Sequence, residues 1–361
     1  MTTFGHGGNI KHLAEISGRT PKDILDFSAN INPLGPPKWV LPLISSRFPD
    51  MQHYPDPDCS SLTERIAERY GVGREQVIVG NGSTEILYLL PRVLPSGPIV
   101  IPVPSYLDYM SVVRLSGLPV RTLLLKEERA FKPDIDDINA MLAQSGVVFL
   151  GQPNNPTGML YEASALRVLA RKHPSVLFIV DEAFADFVEN MDSLTRNRPP
   201  NVVVLLSLTK IFAIPGIRLG CAVADAEMIR RLKTIQPPWS VNVIAQMVGE
   251  RALQDREYLE ESRSHVTRQR TRLIEGLRRL GCFTVYPGAA NFLLLRIDRE
   301  GGDAAFIAAK LLAEGIAIRR CHNFEGLDDR FFRIAVRRDE ENMKLLASLA
   351  KIMKGEFDHK T

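Results

Sequence analysis

Four segments of the chain end an apolar run with side chains able to do chemistry. In VVVLLSLTKIFAIPGIRLG, Ser207, Thr209, Lys210 and Arg218 follow a stretch of valines and leucines. A lysine desolvated among such residues, beside another cation, loses its proton readily, and the free amine can condense with an aldehyde. In VLFIVDEAF, Asp181 comes straight after an apolar run, where a carboxylate loses hydration and needs a cationic or N–H partner. In FLGQPNNPTG, two prolines stiffen a loop that presents the carboxamides of Asn154 and Asn155. In GNGSTE, glycines permit a tight turn, and Ser83 can cap a helix whose free N–H groups suit a phosphate. Each segment alone also has an ordinary reading: a lysine snorkelling to water, a buried capping aspartate, asparagines bonding their own backbone.

These groups can meet only if the apolar runs are neighbours in one sheet. From about Ser61 a helical pattern followed by a short β-rich run recurs: SLTERIAERYG then QVIVG, STEILYLLPRVL then PIVIPV, SALRVLARKH then VLFIVD. That alternation predicts an α/β fold with a mainly parallel sheet covered on both faces. Ligands of such sheets collect beyond the carboxyl ends of the strands, where all four loaded segments fall. Together they match the needs of pyridoxal phosphate. Asp181 would keep the ring nitrogen protonated, and Lys210 would hold the aldehyde and then move protons. Asn155 would bond the ring hydroxyl, and Tyr106 of VPSY would stack on the ring. Ser83, Thr84, Ser207, Thr209 and Arg218 would gather round the phosphate.

In their order along the chain, GNGSTE, PNNPTG, DEAF, SLTK and GIRLG resemble the fold-type I, pyridoxal-phosphate-dependent aminotransferases of class I and II over the whole length. The resemblance implies a homodimer with active sites at the subunit interface, and Tyr54 of HYPDPD reaching the partner's cofactor phosphate. FGHGGN, LDFSANINPLG, PPWSVN, VYPGAANFLLLR and IRRCHNFEGLD are similar to the branch that decarboxylates L-threonine O-3-phosphate in cobalamin synthesis. The alternative is the branch of histidinol-phosphate aminotransferases. Phe184 suits the decarboxylases, since the aminotransferases usually carry tyrosine there; Tyr106 points the other way, and either ring can stack. By the same resemblance His6, Asn30, Asn155, Arg319 and Arg333 meet the substrate, with Arg333 on its α-carboxylate and Arg319 on its phosphate.

Length and composition set the frame. A chain of 361 residues, 45% apolar and 24% charged, exceeds one usual core. The expected division is an N-terminal arm over 1–45, too rich in glycine and proline for a packed element, a large cofactor-binding domain over 46–250, and a small α+β domain over 251–361. The stretch Val241 to Leu280 reads as one or two helices leaving the sheet. A net charge of +3 sets up no field for nucleic acid, and the basic run Arg263 to Arg279 reads as a solvated helix face. Four scattered cysteines without a CxxC pair suggest neither disulfides nor a metal site, and no leader or membrane span is evident. A cytoplasmic enzyme is expected.

Overall fold

The structure, a computed structural model, describes residues 6–298 and 302–357. Phe4 and Gly5 of the opening motif therefore lie outside the described residues. The larger sheet has seven strands in the order Val77–Asn81, Leu219–Val223, Val202–Ser207, Leu177–Asp181, Val147–Gly151, Ile99–Val103, Val120–Leu124. Leu219–Val223 runs antiparallel to both its neighbours, and the remaining pairings are parallel. The apolar runs are continuous because both faces are buried. Val148, Leu150, Phe178 and Val180 pack into one core, while the intervening Val147, Phe149, Leu177 and Ile179 pack into another.

A smaller antiparallel sheet orders its strands Arg319–Arg320, Phe331–Ala335, Phe292–Ile297, Phe283–Val285. The predicted strand IAIRR is split: Ile316–Ala317 leaves this sheet to pair with Leu25–Asp26. Val241 to Leu280 forms two helices, Val243–Ala252 and Arg256–Leu280. The second belongs to both halves of the molecule. Leu259 and Val266 pack in the large core, Leu273 and Leu277 in the small one. Its basic face is not wholly solvated. Arg263 bonds Asp186, and Arg270 donates to the carbonyls of Ala289 and Ala290.

The first 45 residues hold more regular structure than their breakers suggest. Helix Ile10–Ser17 is capped by the Asn9 side chain and stops at Gly18, whose φ of 65° suits glycine. Leu25–Asp26 then pairs with Ile316–Ala317, and the Phe27 carbonyl accepts from the Ala335 N–H, which stitches this segment to the smaller sheet. Closer to the start, Gly7 lies against Ser28 so tightly that a Cβ would sit 2.2 Å from the Ser28 carbonyl oxygen.

Candidate active site

Strand ends of the larger sheet, the Gly7–Ser28 contact and the smaller sheet enclose one cleft with about 1080 Å³ of space not filled by protein, its mouth included. Of the residues expected at the site, His6, Asn30, Ser83, Thr84, Tyr106, Asn155, Asp181, Ser207, Thr209, Lys210, Arg218, Arg319 and Arg333 all line it, as does Phe184. Tyr54 does not. It is 80% exposed and its ring lies 4.8 Å from that of Trp239.

At the end of strand Leu177–Asp181, the Asp181 carboxylate accepts from the Ala183 N–H and the Tyr109 hydroxyl, each at 2.9 Å. Burial pushes its pKa up despite these two donors. The adjacent Glu182 serves the scaffold instead. It accepts from Ser193 Oγ at 2.6 Å and the Leu194 N–H at 2.7 Å. Lys210 sits in the short helix Leu208–Ile211 that follows strand Val202–Ser207. Burial first, then the charge of Arg218, holds its ammonium down to about 8, against the upward pull of Asp181. About a tenth of the amine is therefore free at pH 7, far more than for an ordinary lysine.

Between these groups lies a cradle that glycines keep open. Gly82, at φ 75°, starts helix Gly82–Leu89. A Cβ there would lie 2.6 Å from Arg218 Nη2, and one on Gly220 would lie 2.2 Å from the Ser83 nitrogen. Ser207 and Thr209 share a hydroxyl hydrogen bond of 2.9 Å on the same side. Backbone N–H groups at a helix start, the four hydroxyls of Ser83, Thr84, Ser207 and Thr209, and a guanidinium make a site for a phosphate dianion.

The two asparagines divide their labour. Asn154 is buried and donates to the Pro104 carbonyl and Thr157 Oγ1, holding the loop. Asn155 accepts from Arg333 Nη1 at 2.5 Å through Oδ1, which leaves its amino group to face the cleft chemistry. Arg333 also donates to the Ser28 carbonyl at 2.8 Å and lies over the Phe292 ring. Only 5% exposed, it occupies an interior strand rather than an edge, and burial brings its pKa to about 10. Arg319, 8% exposed, is its cross-strand partner. It donates to the Arg320 carbonyl and to Asn323 Oδ1, over the Phe324 ring. Like charges directly opposite in a ladder repel. Among the described residues no carboxylate forms an ion pair with either arginine, although both are buried. Asn30 Oδ1 is likewise buried without a hydrogen-bond partner.

Sequence reasoning missed Asp108 and Tyr109. Both belong to helix Leu107–Ser116, directly after Tyr106. Their only signal was position, one turn beyond a strand exit already singled out.

The family model for aminotransferases of class I and II matches residues 22–349. The chain belongs to this family. It is 37% identical over 357 residues to a threonine-phosphate decarboxylase of Salmonella typhimurium, covering 97% of each chain. It is 36% identical over 354 residues to the adenosylcobalamin biosynthesis bifunctional protein CobDQ of Leptospira interrogans, of whose length it spans 41%. A solved histidinol-phosphate aminotransferase from Clostridium acetobutylicum superimposes with a TM-score of 0.86 at 33% identity, over 92% of this chain and all of that one. The fold is therefore that of the fold-type I enzymes, with pyridoxal phosphate as cofactor. The cleft fits that group: a cradle kept free of Cβ atoms, a buried carboxylate and a partly deprotonated lysine. Among the described residues no helix is long and apolar enough to cross a membrane, and no cluster suits a metal ion.

Proposed function

We propose that this chain decarboxylates L-threonine O-3-phosphate to (R)-1-amino-2-propanol O-2-phosphate and carbon dioxide, as a step of cobalamin biosynthesis. The observation that carries the reading is the pair of buried, cross-strand arginines without carboxylate partners. Two such forks call for a ligand with two anionic groups, here a carboxylate and a phosphate. The likeness to the decarboxylase of Salmonella typhimurium supports the choice of reaction, and so does Phe184, packed edge-on against Phe292 where a tyrosine would bring a hydroxyl.

When bound, pyridoxal phosphate supplies an electron sink for the pair released as a bond at the substrate's α-carbon breaks. Asp181 would keep a proton on the cofactor's ring nitrogen, and that cation would favour the carboxylate form that burial alone disfavours. Lys210 would hold the cofactor's aldehyde and, once its amine is free, would supply the proton that the substrate's α-carbon takes up. Ser83, Thr84, Ser207, Thr209 and Arg218 would hold the cofactor phosphate, Asn155 would donate to its ring oxygen, and Tyr106 would cover the ring face. Arg333 takes the α-carboxylate; Arg319, with His6 and Asn30, takes the substrate phosphate. Their joint grip would fix how the bond to the carboxylate lies relative to the bound cofactor, and so which bond at the α-carbon breaks.

We read the protein as a cytoplasmic homodimer in which Tyr54, exposed and outside its own chain's cleft, reaches the partner's cofactor phosphate. Four cysteines without disulfides agree with a reducing compartment. The test is direct. Purified holoenzyme given L-threonine O-3-phosphate should release carbon dioxide and aminopropanol phosphate in equal amounts. No release, with amino transfer from histidinol phosphate to 2-oxoglutarate instead, would replace this reading by the aminotransferase one.

A further inference from the structure

His6 is the arm's reach into the cleft, and what fixes it there is a residue with no role in the chemistry above. His6 Nε2 lies 3.0 Å from Asp108 Oδ1. The other carboxylate oxygen, Oδ2, accepts from the Tyr106 hydroxyl at 2.6 Å. The imidazole and the Tyr106 ring are themselves neighbours, with centroids 5.7 Å apart. Asp108 is 8% exposed and is the second residue of helix Leu107–Ser116, whose next residue, Tyr109, bonds Asp181. One rigid turn thus presents both the support for the ring nitrogen's carboxylate and the support for the arm.

An ionised carboxylate accepts fully on both oxygens with no proton of its own to place, so Asp108 satisfies both donors at once. Burial opposes that charge, and the two hydrogen bonds, from His6 and from Tyr106, outweigh it. This also gives the tyrosine at the stacking position a purpose beyond stacking. A phenylalanine would cover the ring face equally well and would leave one oxygen of Asp108 without its donor. An imidazole held at Nε2 by a carboxylate is fixed in one orientation, which leaves Nδ1 for a ligand.

We propose that Asp108 is a positioning residue: it latches the N-terminal arm to the stacking tyrosine and so sets His6 for the substrate's phosphate. The effect on substrate rests on the assignment of His6 given above; the latch itself rests on geometry alone. Asp108→Asn keeps the shape and leaves a single accepting oxygen. In the holoenzyme it should raise KM for threonine phosphate about 10-fold with kcat nearly unchanged, as expected for losing one charge-assisted hydrogen bond used equally in ground and transition states. Because Asp108 acts through His6, adding Asp108→Asn to His6→Ala should raise KM no further. Effects that multiply in the double variant, or a loss in kcat at unchanged KM, would overturn the proposal. A second measurement needs no substrate. Hydrogen exchange at the amides of Gly7, Gly8 and Asn9 in the holoenzyme should quicken in Asp108→Asn and, to a smaller degree, in Tyr106→Phe, while the helix Leu107–Ser116 keeps its protection. Unchanged exchange in the arm rejects the latch, whether or not threonine phosphate is the substrate.

Discussion

Two glycines four positions apart in one motif should respond differently to the same substitution, one with a loss and the other with none. At Gly220 a Cβ would meet backbone on three sides, with Ser83 N at 2.2 Å, Gly82 C at 2.8 Å and Leu206 O at 2.9 Å. None of these is the end of a flexible side chain. Ordinary contact begins at 3.4 Å, so in Gly220→Ala the helix start must retreat from its strand by roughly 1 Å. Overpacking of this kind costs about 1–3 kcal/mol of stability. The retreat also carries the Ser83 N–H out of hydrogen-bonding range of a phosphate in the cradle. Losing one such bond to a charged group costs about 1.5–3 kcal/mol, or about 10- to 100-fold in cofactor Kd. At Gly216 nothing lies within 4 Å of the Cβ position, and Gly216→Ala should leave both quantities alone. The assay is a thermal melt of cofactor-free protein together with a spectroscopic titration with pyridoxal phosphate. A Gly220→Ala protein that binds the cofactor as tightly as Gly216→Ala does would refute the argument that the closeness of Gly220 to Ser83 builds the cradle.

Lys210 gives a pH signature. Its ordinary pKa of 10.5 falls to about 8 in the folded chain, so between those values the unfolded chain binds more protons and the folded state gains stability as pH rises. The cofactor-free protein should close its stability deficit against Lys210→Met over that window and keep the full deficit below about 8; a difference flat with pH excludes a depressed lysine. Lys210→Ala should in addition abolish turnover and the visible absorbance band of the bound cofactor. Asp181→Asn should lose at least 100-fold in kcat, on the order of a misplaced ring proton, yet melt no lower without cofactor, because burial disfavours the charge it removes. A lower melting temperature would mean the carboxylate serves the scaffold. Tyr54→Ala should leave the fold intact, being exposed, and weaken cofactor retention; mixed dimers with Lys210→Ala subunits, in which a single site has both residues, would show whether it acts across the interface.

The centre of the sheet was legible in the sequence because burial on both faces writes Val147–Gly151, Leu177–Asp181 and Val202–Ser207 as apolar runs, and the site because reactive residues follow those runs. The edge strand Val120–Leu124, exposed at Arg121, Thr122 and Leu124, carries no such signal. Strand direction was not legible. Leu219–Val223 is as apolar as its parallel neighbours, and only the short return through Pro215–Ile217 makes it antiparallel. Sequence neighbours also hid Asp108 and Tyr109, since their partners His6 and Asp181 lie 102 and 72 positions away and only the folded chain brings them within 3 Å. Glycine-rich spacing in the first 45 residues read as irregular chain. Yet those glycines sit at close approaches and a helix end, at Gly7 and Gly18, and leave Ile10–Ser17 free to be helical.

Arg333 shows most clearly why residue type alone was insufficient. On an edge strand it would be an ordinary surface charge; one strand further in, opposite Arg319, it becomes half of a buried cationic pair. The ladder fixes the spacing of the two forks, so the anions they are proposed to grip stand in a set relation to the smaller sheet. Asp181 and Asn155 belong to exits of the larger sheet, and on the proposed assignment they would orient the cofactor ring. Which bond of the substrate is cleaved is then a question of how one sheet is held against the other, and contacts far from the reacting carbon bear on it. Arg333 bridges the two directly, through Asn155 on one side and the Ser28 carbonyl on the other. On this assignment Arg333→Lys, which keeps a cation but cannot span both acceptors as a planar fork, should do more than weaken binding. With the carboxylate bond free to leave that orientation, proton loss from the α-carbon should rise relative to carbon dioxide release, measured as solvent deuterium washed into recovered substrate. A variant whose two rates fall together would show that charge alone, rather than the shape of the fork, sets the angle.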